Sequence, residues 1–266
     1  MTITSTTELH DGVHMPWLGL GTYQSNPNKK MQHAVQFALD LGYRAVDTAE
    51  MYDNEKLVGA GVKKSSIPRE EVFITSKVWP SHFGYDKTTK ACKNSLKKLG
   101  TDYIDLYLLH WPQGTKILES WDALIQLQKE GLLRSIGVSN FSQQQIDDII
   151  KHSGVKPTVN QVEFSPFNYT KDLLQYCRQQ NILLEAYAPL THGHKLSNPM
   201  LGKVATKYEK SPAQLMLRWA LQHHVAVIPK SQHDERIREN SGIFDFDISE
   251  ADMCELDTLH DGFRTC

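Results

Sequence analysis

A short run with a polar residue at or next to its end, followed by a stretch with helical spacing, recurs eight times along this chain. The runs are Trp17–Thr22, Arg44–Asp47, Glu71–Lys77, Ile104–His110, Ser135–Asn140, Thr158–Glu163, Leu183–Ala188 and Val225–Lys230. Between them, apolar residues fall on one helical face, as at Met31, Ala34, Val35, Ala38 and Leu41, and glycines (Gly42, Gly100, Gly131) stop three of the helices. Ser142 with Gln145, and Ser211 with Gln214, are capping boxes, the second with a proline at the first helical position. The eighth unit closes with a helix over about 234–241, and one extra helix follows over about 249–259. Strands that alternate with helices pair in parallel. Eight such units with no linker or composition shift predict one closed (β/α)8 barrel over residues 1–266. The competing architecture is an open doubly wound sheet, which binds phosphates at a glycine-rich turn. Gly19-Leu-Gly21-Thr-Tyr-Gln24 starts like such a turn, but Gln24 stands where the third glycine belongs. Ahead of the first unit, Asp11-Gly12 signals a type I′ hairpin, expected as a lid on one end of the barrel.

Bulk properties narrow the function classes. The net charge of −2 leaves no electrostatic footprint for nucleic acid or anionic membrane. The four cysteines (Cys92, Cys177, Cys254, Cys266) are scattered without a CxxC pair and read as reduced thiols. No HExxH spacing occurs and no metal is expected. The first ten residues lack a basic-then-apolar leader, and no apolar run approaches the length of a membrane span, so the expectation is a cytoplasmic protein.

In such barrels chemistry sits at the carboxyl ends of the strands. Here those ends carry Thr22, Asp47, Lys77, His110, Ser139-Asn140, Gln161 with Glu163, Tyr187, and Lys230-Ser231. Lys77 is the most informative, because an ammonium group is rarely buried without a partner, and Asp47 on the adjacent strand can be that partner. Tyr52 follows Asp47 in the same loop. A phenol titrates near pH 10, too high for an efficient acid, and a nearby ammonium stabilises the phenolate and lowers that value. His110 can orient a carbonyl oxygen beside it. Alone, Asp47 and Lys77 read equally as an ion pair of the barrel wall, Tyr52 as packing and His110 as an ordinary polar residue. Together on adjacent strands they read as a proton-transfer site. Lys230, Ser231 and Arg236 surround a strand end and helix start in the region where barrels bind phosphate, and suit a phosphate monoester. Tyr187 can stack on a flat ring.

These residues resemble the aldo-keto reductase family over nearly the whole chain. The motifs are Leu18-Gly-Leu-Gly-Thr22, Asp47-Thr-Ala-Glu-Met-Tyr-Asp-Asn-Glu55, Lys77-Val-Trp79, Leu109-His-Trp-Pro112, Gly137-Val-Ser-Asn-Phe141, Asn160-Gln-Val-Glu163, Ala186-Tyr-Ala-Pro-Leu190, and Ile228-Pro-Lys-Ser231 with Arg236-Ile-Arg-Glu-Asn240. The likeness is greatest to the microbial and protozoan reductases that include diketogluconate and methylglyoxal reductases. The resemblance implies NADPH-dependent reduction of aldehydes and ketones, and a monomer. It implies Tyr52 as general acid, Lys77 and Asp47 as the groups that tune it, and His110 as the group that orients the carbonyl. Ser139, Asn140 and Gln161 match the family's binders of the nicotinamide carboxamide, and Tyr187 its stacking residue. Lys230, Ser231 and Arg236 match the 2′-phosphate site, Glu239 and Asn240 the adenine contacts, and Thr22 and Leu190 fall in cofactor-binding motifs. Tyr23, Trp79 and Trp111 are the implied substrate walls, and His82 is a weaker candidate for the pocket.

Two departures stand out. The loop after Leu190 reads Thr-His-Gly-His-Lys, where the family has small residues over the pyrophosphate. The end at Arg264-Thr-Cys266 suggests a more open pocket with loose selectivity. Two other functions compete: a lyase that uses Lys77 as a Schiff base, and a non-catalytic NADPH-binding or structural protein on the same barrel.

Overall fold

A computed structural model describes residues 1–25 and 29–265, so Cys266 lies outside the described residues. The hairpin strands β1 (Thr6–Glu8) and β2 (His14–Pro16) precede the barrel. Its strands are β3 (Gly19–Gly21), β4 (Ala45–Asp47), β5 (Phe73–Val78), β6 (Ile104–Leu109), β7 (Leu133–Ser139), β8 (Val159–Glu163), β9 (Leu183–Tyr187) and β10 (Ala226–Val227). Each pairs in parallel with the next. Parallel bridges from Leu18 to Val227 and from Gly21 to Lys230 join the last strand to the first and close the sheet. The expected closed barrel is therefore observed.

The helices follow their strands: α1 (Lys29–Leu41), α2 (Glu55–Lys64), α3 (Tyr85–Leu99), α4 (Ile117–Lys129), α5 (Gln143–Ser153), α6 (Lys171–Gln179), α7 (Pro199–Lys207), α8 (Pro212–Gln222), α9 (Asp234–Ser241) and α10 (Glu250–Asp257). Both capping boxes form: the Ser142 hydroxyl accepts from Gln145 N and the Ser211 hydroxyl from Gln214 N, each with the reciprocal glutamine contact. Helix α7 is an addition to the sequence reading. Its signal is Asn198-Pro199, where the Asn198 side-chain Oδ1 accepts from the backbone amides of Met200 and Leu201. The apolar strand residues and the inner helix faces form one buried core, in which Trp121 and Trp219 are the largest side chains.

The hairpin turn differs from expectation. A type I′ turn needs two left-handed residues, and here only Gly12 is left-handed, with φ +85°. Five residues separate the last paired positions, Glu8 and His14, and Leu9 N donates to Val13 O at 2.8 Å. The Asp11 carboxylate accepts from Val13 N at 3.2 Å and from the Ser135 hydroxyl at 2.6 Å. Because Ser135 lies early in β7, the hairpin covers the amino-terminal end of the barrel, away from the strand ends that carry the polar residues. No helix among the described residues is long and apolar enough to cross a membrane.

Helices α2 and α3 approach closely at Gly59. A Cβ there would lie 2.0 Å from the carbonyl oxygen of Leu99. Gly59→Ala must push the end of α3 outward and is expected to destabilise the fold by about 3 kcal/mol, the upper end for an overpacked site. Denaturant unfolding would measure this; an unchanged midpoint would mean that the helix contact gives way easily.

Candidate active site

Strand β4 delivers Asp47 to the rim, and the chain then makes a single 3-10 turn, Glu50–Tyr52, before α2 begins. The turn is held from three sides. The Thr48 hydroxyl donates to Asn54 Oδ1 at 2.5 Å, and Asn54 Nδ2 donates to Thr22 O at 3.0 Å. Glu50 accepts from Trp79 N at 3.1 Å and pairs with His82 Nδ1 at 2.5 Å. Tyr52 is thereby carried on a braced loop.

Lys77 on β5 is completely buried. Its ammonium donates to Asp47 Oδ1 at 2.7 Å, to Thr48 O at 3.0 Å and to the Tyr52 hydroxyl at 3.2 Å. Three acceptors use its three protons, so the charge is fully satisfied without water. A cation so close to the phenol oxygen favours the phenolate. Burial raises the Asp47 carboxyl above its ordinary value, and the Lys77 ammonium opposes this. The His110 ring meets Tyr52 edge-on at 5.5 Å and Trp79 at 5.0 Å between centroids. Burial first, and the Lys77 charge second, push His110 down to about 2, so the ring is neutral at any working pH. A neutral imidazole can donate one hydrogen bond to a carbonyl oxygen while leaving the ammonium as the local positive charge.

On the other side of Asp47, Gln161 Nε2 donates to Asp47 Oδ2 at 2.8 Å and to Glu185 Oε2 at 2.7 Å. Both amide protons are used, which leaves the Gln161 carbonyl oxygen for the cavity that this residue lines. The Tyr187 hydroxyl donates to Asn140 Oδ1 at 2.8 Å, and Asn140 Nδ2 donates to Ser139 Oγ at 3.0 Å. These side chains border a cavity of about 970 Å³ that runs from Tyr23, Trp79 and Trp111 past Tyr187 to Lys230, Ser231, Arg236, Glu239 and Asn240. This volume is at the upper end for ligand sites. At its far end Lys230 is held below the ordinary lysine value by partial burial and by the neighbouring Arg236 charge. Two cations that repel one another at the mouth of a cavity would both be relieved by an anion.

A model of the aldo/keto reductase family matches residues 17–261. The chain belongs to the aldo/keto reductase family. It is 47% identical over 258 residues to a glyoxal reductase of Bacillus subtilis, covering 97% of this chain and 94% of that protein. A 9,11-endoperoxide prostaglandin H2 reductase of Trypanosoma cruzi is 43% identical, over 96% and 92% of the two chains. An aldo-keto reductase of Bombyx mori solved in complex with NADP superposes with a TM-score of 0.92 at 34% identity, covering 98% and 94%.

Aldo/keto reductases use NADP(H), and the residues here fit it. The cavity has two cations, Lys230 and Arg236, at one end and the Tyr187 ring beside the Asn140 amide. Most of the expected site residues line this one cavity, Leu190 included. Thr22 and Lys77 do not. Thr22 is buried, with its hydroxyl donating to Asp47 O at 2.8 Å, so its side chain braces the rim and makes no cavity contact. Lys77 lies behind Tyr52, its ammonium on the Tyr52 hydroxyl. His82 is also outside the cavity lining, turned to Glu50. The loop after Leu190 does form a wall, through His192, Gly193 and His194. The final residues pack on that loop and on the end of β8. Lys195 pairs with Asp261 at 2.7 Å, the Phe263 ring meets His194, and Thr265 N donates to Glu163 Oε1 at 2.6 Å. Sequence reasoning passed over Asn54, a small polar residue in a motif where Tyr52 drew attention. It also passed over Glu185, whose inward position in β9 is evident only once the barrel is closed.

Proposed function

We propose that this protein reduces aldehyde or ketone carbonyls to alcohols, with NADPH as reductant and Tyr52 as proton donor. The observation that carries this reading is the Tyr52 hydroxyl, bordering the cavity on one side and bound at 3.2 Å by a wholly buried ammonium on the other. When bound, NADPH supplies the hydride. His110 donates a hydrogen bond that orients the carbonyl oxygen toward Tyr52. Tyr52 gives its proton to that oxygen as negative charge develops, and Lys77 stabilises the resulting phenolate, with Asp47 balancing the ammonium. Ser139, Asn140 and Gln161 hold the carboxamide and Tyr187 lies against the ring. Glu239 and Asn240 take the adenine end. Tyr23, Trp79 and Trp111 are aromatic walls with few fixed polar groups, which suits apolar or aromatic aldehydes as well as small dicarbonyls of the kind the glyoxal reductase is named for. A Schiff-base role for Lys77 finds no support, because its nitrogen is buried, spent on three protein acceptors, and Lys77 does not line the cavity.

The test is incubation with NADPH and a panel of aldehydes, with alcohol quantified against cofactor consumed. One alcohol per NADPH is expected. Tight NADPH binding with no alcohol from any carbonyl would overturn the reading in favour of a binding protein.

Lys230, Ser231 and Arg236 are proposed as the 2′-phosphate site. Arg236→Ala is expected to raise KM for NADPH about tenfold, equivalent to one charge-assisted hydrogen bond, while leaving KM for NADH unchanged. Equal effects on both cofactors would place Arg236 elsewhere.

A further inference from the structure

Glu185 is a buried carboxyl that the proton-transfer scheme leaves unused. It sits in β9 in register with Gln161 on one side and Ala226 on the other. Its Oε2 lies 2.7 Å from Gln161 Nε2. From there the contacts continue without a break to Asp47, Lys77 and Tyr52, at 2.8, 2.7 and 3.2 Å. Four buried side chains from four strands, and Tyr52 from the turn after β4, thus form one series ending at the phenol, with Glu185 at its far end.

We infer, on the footing of the carbonyl-reductase reading, that Glu185 is a positioning residue for the dinucleotide: by holding the Gln161 amide nitrogen opposite Asp47, it fixes the Gln161 carbonyl oxygen toward the nicotinamide carboxamide. The geometry also fixes the charge state that this role requires. The charged groups facing Glu185 are Asp47 from β4 and Lys77 from β5, and β10 offers only apolar residues at its register. One ammonium already balances Asp47, so a second carboxylate would be unpaired in a dry site. Burial first and the Asp47 charge second push the Glu185 carboxyl up to about 8. Glu185 is therefore a neutral acceptor at pH 7, and glutamine should replace it while a side chain without an acceptor should not. Without Glu185 the Gln161 amide loses one of two anchors and can rotate.

NADPH binding to the whole protein, read by quenching of tryptophan fluorescence, tests this without turnover. At pH 7, Glu185→Gln is expected to bind NADPH within about twofold of wild type, and Glu185→Met, of similar length but with no acceptor, about tenfold more weakly, the value of one hydrogen bond near 1.4 kcal/mol. Glu185→Ala serves if the methionine variant does not fold. Wild-type affinity in the variants that lack an acceptor, or equal weakening in the glutamine variant, would overturn the proposal. A second readout is thermal stability. A carboxyl raised from 4.5 to about 8 on folding contributes stability that is full below the lower value and is lost as pH rises to the upper one. Glu185→Gln should therefore gain on wild type between these values, and a constant difference would contradict the neutral acceptor. If no carbonyl is reduced, the function fails while the binding result still decides the role of Glu185. If alcohol forms but the Glu185 variants bind normally, only the role of Glu185 fails.

Discussion

Tyr52→Phe is expected to lower kcat for aldehyde reduction about a thousandfold, within the range that a positioned general acid contributes. The substitution removes one oxygen. The ring still packs against Tyr23 at 4.9 Å and against His110 at 5.5 Å between centroids, so the cavity keeps its shape. NADPH affinity should consequently change by less than about twofold, since the lost hydroxyl faces Lys77 and the carbonyl oxygen. Steady-state kinetics combined with fluorescence titration separates the two quantities. A parallel loss of cofactor affinity would mean that Tyr52 holds the dinucleotide and is not the proton donor.

Lys77→Met should do two kinds of damage. It removes the cation from the phenol, so kcat should fall about a hundredfold or more. It also strands the Asp47 carboxylate in a buried site, which costs about 3–5 kcal/mol when one partner of a buried pair is lost. The sign of the pH dependence follows. With the ammonium gone, the Gln161 hydrogen bond is what still opposes burial, and the folded Asp47 carboxyl rises further above its ordinary value. Stability of the variant should be greatest at acid pH, where Asp47 is protonated in both states, and should decline as pH rises through the ordinary carboxyl range. Adding Asp47→Asn should restore much of the stability and none of the activity. Unfolding curves for the single and double variants test this, and a Lys77→Met protein as stable as wild type at neutral pH would show the pair to be solvated.

The barrel was legible because each strand is a short run with a polar terminus and each helix carries a stop or a cap. Asp47, Lys77 and His110 stood out because polar residues ending buried strands point at a common rim. What escaped depended on closure. β10 is only two residues long, and its link to β3 comes from single bridges at Leu18 and Gly21, which no local pattern reveals. Glu185 reads along the chain as one polar residue in an apolar strand. Its meaning comes from Gln161, 24 residues earlier, and from Asp47, 114 residues before that glutamine. The hairpin turn was misread because Asp11 is engaged by Ser135 on a distant strand, and that contact overrides the local preference of Asp-Gly. The loop after Leu190 lines the cavity, and its backbone turns at Thr191 and His192, both left-handed at φ 51°, which nothing in their residue types signals.

The most direct test follows the transferred atoms. With NADPH deuterated at the nicotinamide C4 position from which hydride departs, and an aromatic aldehyde in ordinary water, the account predicts alcohol with one deuterium on its carbinol carbon and none from solvent at that carbon. Alcohol without the label, or label lost to water with no alcohol formed, would contradict hydride transfer from the nucleotide to the carbonyl.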